Sequence, residues 1–155
     1  MLEKPNIPDE LIVSRLQVEY NLHVTELTFL PIGADEGSAL YRVLADDGTV
    51  YFLKLRKGFD EISVTIPLFL QSQGIREIIA PFKSKSGRGW ADFGQYKMIL
   101  YPFVDGKNGF EIGLSDSHKR TFGAALRRIH AAKIPPELKR AILQERFSPE
   151  RRERV

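Results

Sequence analysis

Few residues in this 155-residue sequence combine a reactive type with a telling position. Lys54 stands inside an apolar run, Phe52-Leu53-Lys54-Leu55, that otherwise reads as a buried strand. A lysine so placed either lies at a strand edge or presents a fixed positive charge to an anion. Upstream, Gly33 and Gly37 bracket Ala34-Asp35-Glu36 and lead into Ser38. Glycine has no Cβ, so backbone N–H groups on such a loop can approach phosphate oxygens closely. Downstream, Glu61 opens a helical pattern and offers a carboxylate that could hold the lysine in place. Taken singly, these are turn glycines, a solvent-facing lysine and a favourable charge at a helix start. In the order loop, strand lysine, helix carboxylate, they point to phosphate chemistry.

Other chemistries find little support. There is no Cys, which excludes disulfides and thiolate metal sites, and no Gly-x-Ser-x-Gly elbow for a nucleophilic serine. The three histidines, His23, His118 and His130, have no metal-ligand spacing among them, and His130 reads as a packed structural residue. Asp92-Phe93-Gly94 spells a metal-binding triplet of kinases, but it precedes Tyr101 and reads as a turn between strands. The balance of 23 basic and 20 acidic residues gives a net charge of +3. The basic residues at the C-terminal end (Lys139, Arg140, Arg146, Arg151, Arg152, Arg154) are mixed with Glu137, Glu145, Glu150 and Glu153, so a nucleic-acid surface is not expected. No apolar run reaches the roughly 18 residues of a membrane helix, and the N-terminus lacks the pattern of a secretory signal. A cytoplasmic setting is expected.

The elements that must position these residues follow from pattern. Pro8-Asp9-Glu10 opens a helix with Leu11, Leu16 and Tyr20 on one face, ending at Asn21. Strands begin at Val24. The runs 39–44 and 49–55, joined by Asp46-Asp47-Gly48, predict a hairpin because Asp47 and Gly48 tolerate positive φ. A second pair is expected from 80–85 and 97–101. Between the pairs, Ile62, Ile66, Phe69 and Leu70 share a helical face, with Gly74 as its stop and Pro67 as a kink or break. After Tyr101-Pro102-Phe103-Val104-Asp105-Gly106 the pattern turns helical. Ser115 is an N-cap, Phe122, Ala125, Leu126 and Ile129 form an apolar face, and Pro135-Pro136 ends the helix. A last amphipathic piece spans 137–146. The fold class is α+β: about five antiparallel strands plus a helix over 1–103, then a connection and helices over 104–155.

This order, with a Tyr-Pro-Phe connection offering backbone groups to an adenine edge, is that of a protein-kinase-like nucleotide lobe. The chain resembles the aminoglycoside phosphotransferase family, its spectinomycin-type branch most closely. The resemblance is carried by 30–43, 51–56, 99–106 and Phe122-Gly123-Ala124-Ala125-Leu126-Arg127-Arg128-Ile129-His130. It implies ATP as cofactor, with Lys54 on its phosphates, Glu61 pairing Lys54, and Gly33, Gly37 and Ser38 covering the phosphates. Leu100, Tyr101 and Phe103 would hold adenine through the backbone, with Asp105 near the ribose or substrate cleft. The family's His-Gly-Asp-type catalytic loop and later metal-binding aspartate do not occur between Ala131 and Val155; the last Asp is Asp116. The expectation is therefore the ATP-binding portion of a small-molecule O-phosphotransferase, truncated and inactive alone. Mg2+ and an acceptor such as an antibiotic belong to the complete protein. The uncovered helical face is expected to be either exposed or paired with a second copy. The alternative is a non-catalytic domain binding a nucleotide or partner.

Overall fold

The computed structural model describes residues 3–32, 37–107 and 109–143. Helix α1 (Asp9–Tyr20) leads into strand β1 (Val24–Leu30), β2 (Ser38–Ala45) and β3 (Val50–Arg56). Helix α2 (Ile62–Ser72) follows, then β4 (Ala91–Phe93) and β5 (Tyr96–Pro102). Helices α3 (Gly109–Ile112), α4 (Asp116–Ala131) and α5 (Pro136–Ala141) complete the described chain. The five strands form one antiparallel sheet in the order β1-β2-β3-β5-β4.

Period-two alternation assigns the sheet its two faces. Tyr41 and Val43 of β2, Leu53 and Leu55 of β3, and Met98 and Leu100 of β5 point one way, into a core shared with Ile12 and Leu16 of α1. The other face carries Ile99 and packs with Val64 of α2, Trp90 and the half-buried Phe59 and Tyr101. Each fully buried side chain of this size contributes about 1.5–3 kcal/mol relative to leaving it in water.

The α1 boundaries agree with the sequence signals, and Asn21 closes the helix in the left-handed region at φ 52°. Its inward face differs, being Ile12 and Leu16, whereas Leu11 is exposed. In the β2–β3 turn only Gly48 takes positive φ. Asp47 acts instead through its side chain, whose Oδ1 accepts from the Thr49 N–H at 2.8 Å.

Helix α2 runs on through Pro67 without a break. The carbonyl that Pro67 cannot bond belongs to Ser63, which is exposed, so water can take the place of the missing donor. Gly74, at φ +80°, donates to the Gln71 carbonyl while Ile75 donates to the Leu70 carbonyl, a Schellman ending.

The expected strand over 80–85 does not form. Pro81 has no N–H, and that stretch reaches β5 only through Phe82, whose N–H donates to the Leu100 carbonyl at 2.7 Å. The fourth strand is Ala91–Phe93, joined to β5 by a turn with Gly94 at φ +58°. Pro136 begins α5 as its first residue, so the Pro-Pro pair separates two helices.

A candidate nucleotide cleft

Register places the site. Lys54 of β3 lies opposite Leu40 of β2 and Ile99 of β5, and the next row on the same face is Arg42, Phe52 and Tyr101. Because Leu53 and Leu55 face the α1 core, Phe52 and Lys54 must face the other side. Their side chains line an open cleft of about 570 Å³, whose wall is completed by Leu30, Ile32, Ile79, Tyr101, Pro102, Phe103 and Val104. The cleft is apolar except for Lys54 and the exposed backbone of the connection, which suits a flat heteroaromatic group joined to an anion.

The connection shows which backbone groups are free to be read. Leu100 is buried in the α1 core, and its carbonyl accepts from the Phe82 N–H at 2.7 Å. The Phe103 N–H turns towards β3, donating to the Val50 carbonyl at 3.4 Å. Backbone groups alternate in direction along a strand, so the Pro102 carbonyl and the Val104 N–H point away from β3. Among the described residues the Val104 N–H makes no hydrogen bond. The acceptor and donor therefore sit one residue further along than Tyr101 and Phe103. The Tyr101 ring packs 6.4 Å from that of Phe52, and burial raises its phenol pKa, with Arg56 opposing.

Other expected residues fall differently. Glu61 is exposed at the N-cap of α2, where its carbonyl accepts from Val64 and Thr65, and no ion pair joins it to Lys54 among the described residues. Its position at the first helical turn keeps the carboxylate outside the inward face, which Val64 occupies. Gly37 and the buried Ser38 border a different depression, with Lys57, Gln95, Tyr96 and segment 3–7. Gly33 lies outside the described residues. Asp105 is exposed just beyond the cleft wall. Asp92 stands on β4, where hydrogen bonds from Lys97 and from Arg88 (3.0 Å) hold its carboxyl below the usual range, so it serves as a surface ion-pair partner. Among the described residues no three His, Asp or Glu side chains gather as a cation site.

Sequence reasoning missed Leu30, Ile32, Phe52, Ile79 and Val104. Phe52 was detectable, since period two places it on the same face as Lys54. Ile79 was not, because it comes from an irregular segment far from the strands.

A lysine on the third strand, facing an apolar cleft closed by the strand-to-helix connection, is the arrangement of the N-terminal lobe of a kinase-like fold. No family model and no curated protein matches the sequence. Among solved structures the chain is similar to spectinomycin phosphotransferase APH(9)-Ia in complex with ADP and spectinomycin. Identity there is 30% and the TM-score 0.86, over 96% of this chain and 45% of that one. The AMP-bound complex of the same enzyme matches at 27% identity and TM-score 0.78, over 93% and 44%. Amicoumacin kinase hAmiN, in complex with AMP-PNP, Ca2+ and Ami, shares the fold at 15% identity and TM-score 0.57, over 85% and 43%. These matches support a place for the chain in the aminoglycoside phosphotransferase family. It spans less than half the length of these matched proteins.

Proposed function

We propose that this chain is the ATP-binding portion of an ATP-dependent small-molecule O-phosphotransferase, a kinase acting on an alcohol group of an antibiotic or related aminocyclitol. The observation that carries the reading is the placement of Lys54 and the 101–104 connection on one apolar cleft. The similar enzyme APH(9)-Ia, solved with ADP and spectinomycin, supports the nucleotide and the acceptor class. Adenine would meet the Pro102 carbonyl and the Val104 N–H between Leu30, Phe52 and Phe103, and Lys54 would attract the α- and β-phosphates. Residues 1–103 would form the nucleotide lobe and 104–155 the connection and first helices of a helical lobe. Phosphoryl transfer also needs Mg2+ ligands and a residue orienting the hydroxyl. The last Asp of this sequence, Asp116, opens α4, after which the family's catalytic loop is expected, so these residues alone should turn over negligibly. The setting proposed is cytoplasmic.

Titrating Mg-ATP while following thermal unfolding tests this. At 100 times its dissociation constant, a ligand adds about 2.7 kcal/mol of stability. The stabilisation is expected to be abolished in Lys54→Ala. A wild-type chain that gains nothing from Mg-ATP would overturn the reading. It would then favour a partner-binding domain, to which the exposed apolar side chains of α3 and α4 lend support.

A further inference from the structure

We propose that Arg42 is a positioning residue of the cleft, its guanidinium holding the Phe103 ring in place as part of the wall. This rests on reading the cleft as a nucleotide site. Arg42 does not line the cleft itself; it stands at the end of the row of Phe52 and Tyr101, opposite Phe52 on β3 and Thr28 on β1. A cation in the interior of a strand needs partners, and this one has two of different kinds. Its guanidinium carbon lies 5.9 Å from the centre of the Phe103 ring, within cation–π range. On its other side, Nη1 is 3.8 Å from Oε1 of Glu26, whose same oxygen accepts from Thr28 Oγ1 at 2.7 Å. Glu26 thus braces the guanidinium from β1 while Phe103 receives it from the connection.

The Phe103 backbone is tethered to β3 by one long hydrogen bond, to the Val50 carbonyl at 3.4 Å. Its half-exposed ring has no aromatic partner among the described residues, so the contact with Arg42 supplies its fixed neighbour. Arg42 therefore acts on a bound base through Phe103 and not through its charge on phosphates, which are the province of Lys54 on the neighbouring row.

The test is titration calorimetry of ADP and of adenosine against the full 155-residue chain and its variants. Arg42→Met keeps an unbranched aliphatic side chain at this position of β2 and removes the cation. It is expected to weaken ADP and adenosine by the same factor, about two- to fivefold. Arg42→Lys should recover most of the loss, which also shows that the strand tolerates substitution. In a Phe103→Leu background, Arg42→Met should have no further effect. Unchanged affinity in Arg42→Met overturns the proposal, as does additivity with Phe103→Leu. A loss confined to ADP overturns it too, because that would be a charge acting on phosphates. If the wild-type chain binds neither ligand, the nucleotide reading falls and the proposal with it. Wild-type binding with an indifferent Arg42→Met overturns the proposal alone.

Discussion

The sheet and the helices that follow it treat the same kinds of residue in opposite ways. In the sheet, Tyr41, Leu53, Leu55 and Met98 are fully buried, and the alternating strands α1 covers leave almost no large side chain of that face in water. In α4, sixteen residues long, Ala125 alone is buried, while Phe122 is 61% and Leu126 40% exposed. Local structure does not account for the difference. Helix α4 is well capped, with Ser115 Oγ accepting from the His118 N–H at 3.2 Å, and its apolar spacing is as regular as that of α2. The contrast is tertiary: α4 is complete as a helix and incomplete as a packed element. Helical pattern records that a face is made to be covered, and only the rest of the fold says by what.

The largest effect that would sharpen this contrast comes from truncating one apolar residue in each region. Leu53→Ala, in the central strand β3, should lower the unfolding free energy by about 2–5 kcal/mol, because it opens a cavity between the sheet and α1. Phe122→Ala removes a larger side chain yet, at protein concentrations low enough to keep the chain monomeric, should change stability by no more than about 0.5 kcal/mol. Urea denaturation followed by circular dichroism compares the two directly. Comparable losses would mean that the α4 face is covered in solution.

Coverage by a second copy is the next measurement. The exposed Ile112, Leu114, Phe122 and Leu126 lie on α3, α4 and the turn between them, and Ile112, Leu114 and Phe122 border one depression. Sedimentation velocity should therefore find concentration-dependent association of the chain. Placing two charges there, as Phe122→Glu with Leu126→Glu, should weaken that association tenfold or more, about 1.4 kcal/mol. A wild-type chain that stays monomeric at high concentration would remove self-association as the means of cover.

The same division explains how much of the molecule could be read from sequence. The helix 9–20, the hairpin around Gly48 and the Gly74 stop are local devices, and each formed where its residues indicate. The strand over 80–85 was illegible because its apolar residues are real neighbours of β5, while Pro81 denies them a ladder. Ala91–Phe93 was hidden for the opposite reason: three residues with an acidic centre carry almost no strand pattern. In the site, Lys54 stood out because a charge interrupts an apolar run. The free backbone groups at Pro102 and Val104 could not be seen, since they depend on the Phe103 N–H turning to the Val50 carbonyl, a pairing of residues distant in the chain. Glu61 was legible only as a charge at a helix start, because a carboxylate there stabilises the helix whether or not it meets a lysine.

Alkaline pH probes the buried side of the comparison with a smaller effect. Burial pushes the Tyr41 phenol up to about 12, from an ordinary value near 10. The native state therefore keeps this proton where the unfolded chain releases it. The stabilisation it brings is complete below pH 10 and is lost as pH rises from there through about 12. The Tyr41 hydroxyl is also buried without a hydrogen-bond partner among the described residues. Tyr41→Phe should thus be neutral or stabilising by up to about 1 kcal/mol at pH 7, and should flatten the decline above pH 10. A clear destabilisation at pH 7 would show that the hydroxyl is satisfied in solution.

The smallest effect is the most direct probe of how the two regions are joined. Arg128 on α4 donates to Glu77, in the segment between α2 and β4 that also carries Ile79 into the cleft wall. An exposed pair of this kind stabilises by about 0.2–1 kcal/mol, which hardly alters global unfolding. Its value lies in position, because α4 buries so little that one ion pair is a sizeable share of what fixes it. Glu77→Lys should therefore leave the urea midpoint nearly unchanged while raising hydrogen exchange along α4. Because the pair is solvent-exposed, salt should raise exchange in the wild type towards the variant. The reversed pair, Glu77→Lys with Arg128→Glu, restores the attraction with the charges swapped and should restore protection. Rescue by the double variant would show that charge pairing, and not the shape of either side chain, ties the helices to the sheet. Failure of rescue would mean that α4 is held by its few apolar contacts alone, and the contrast between the two regions would then be wider than the ion pair suggests.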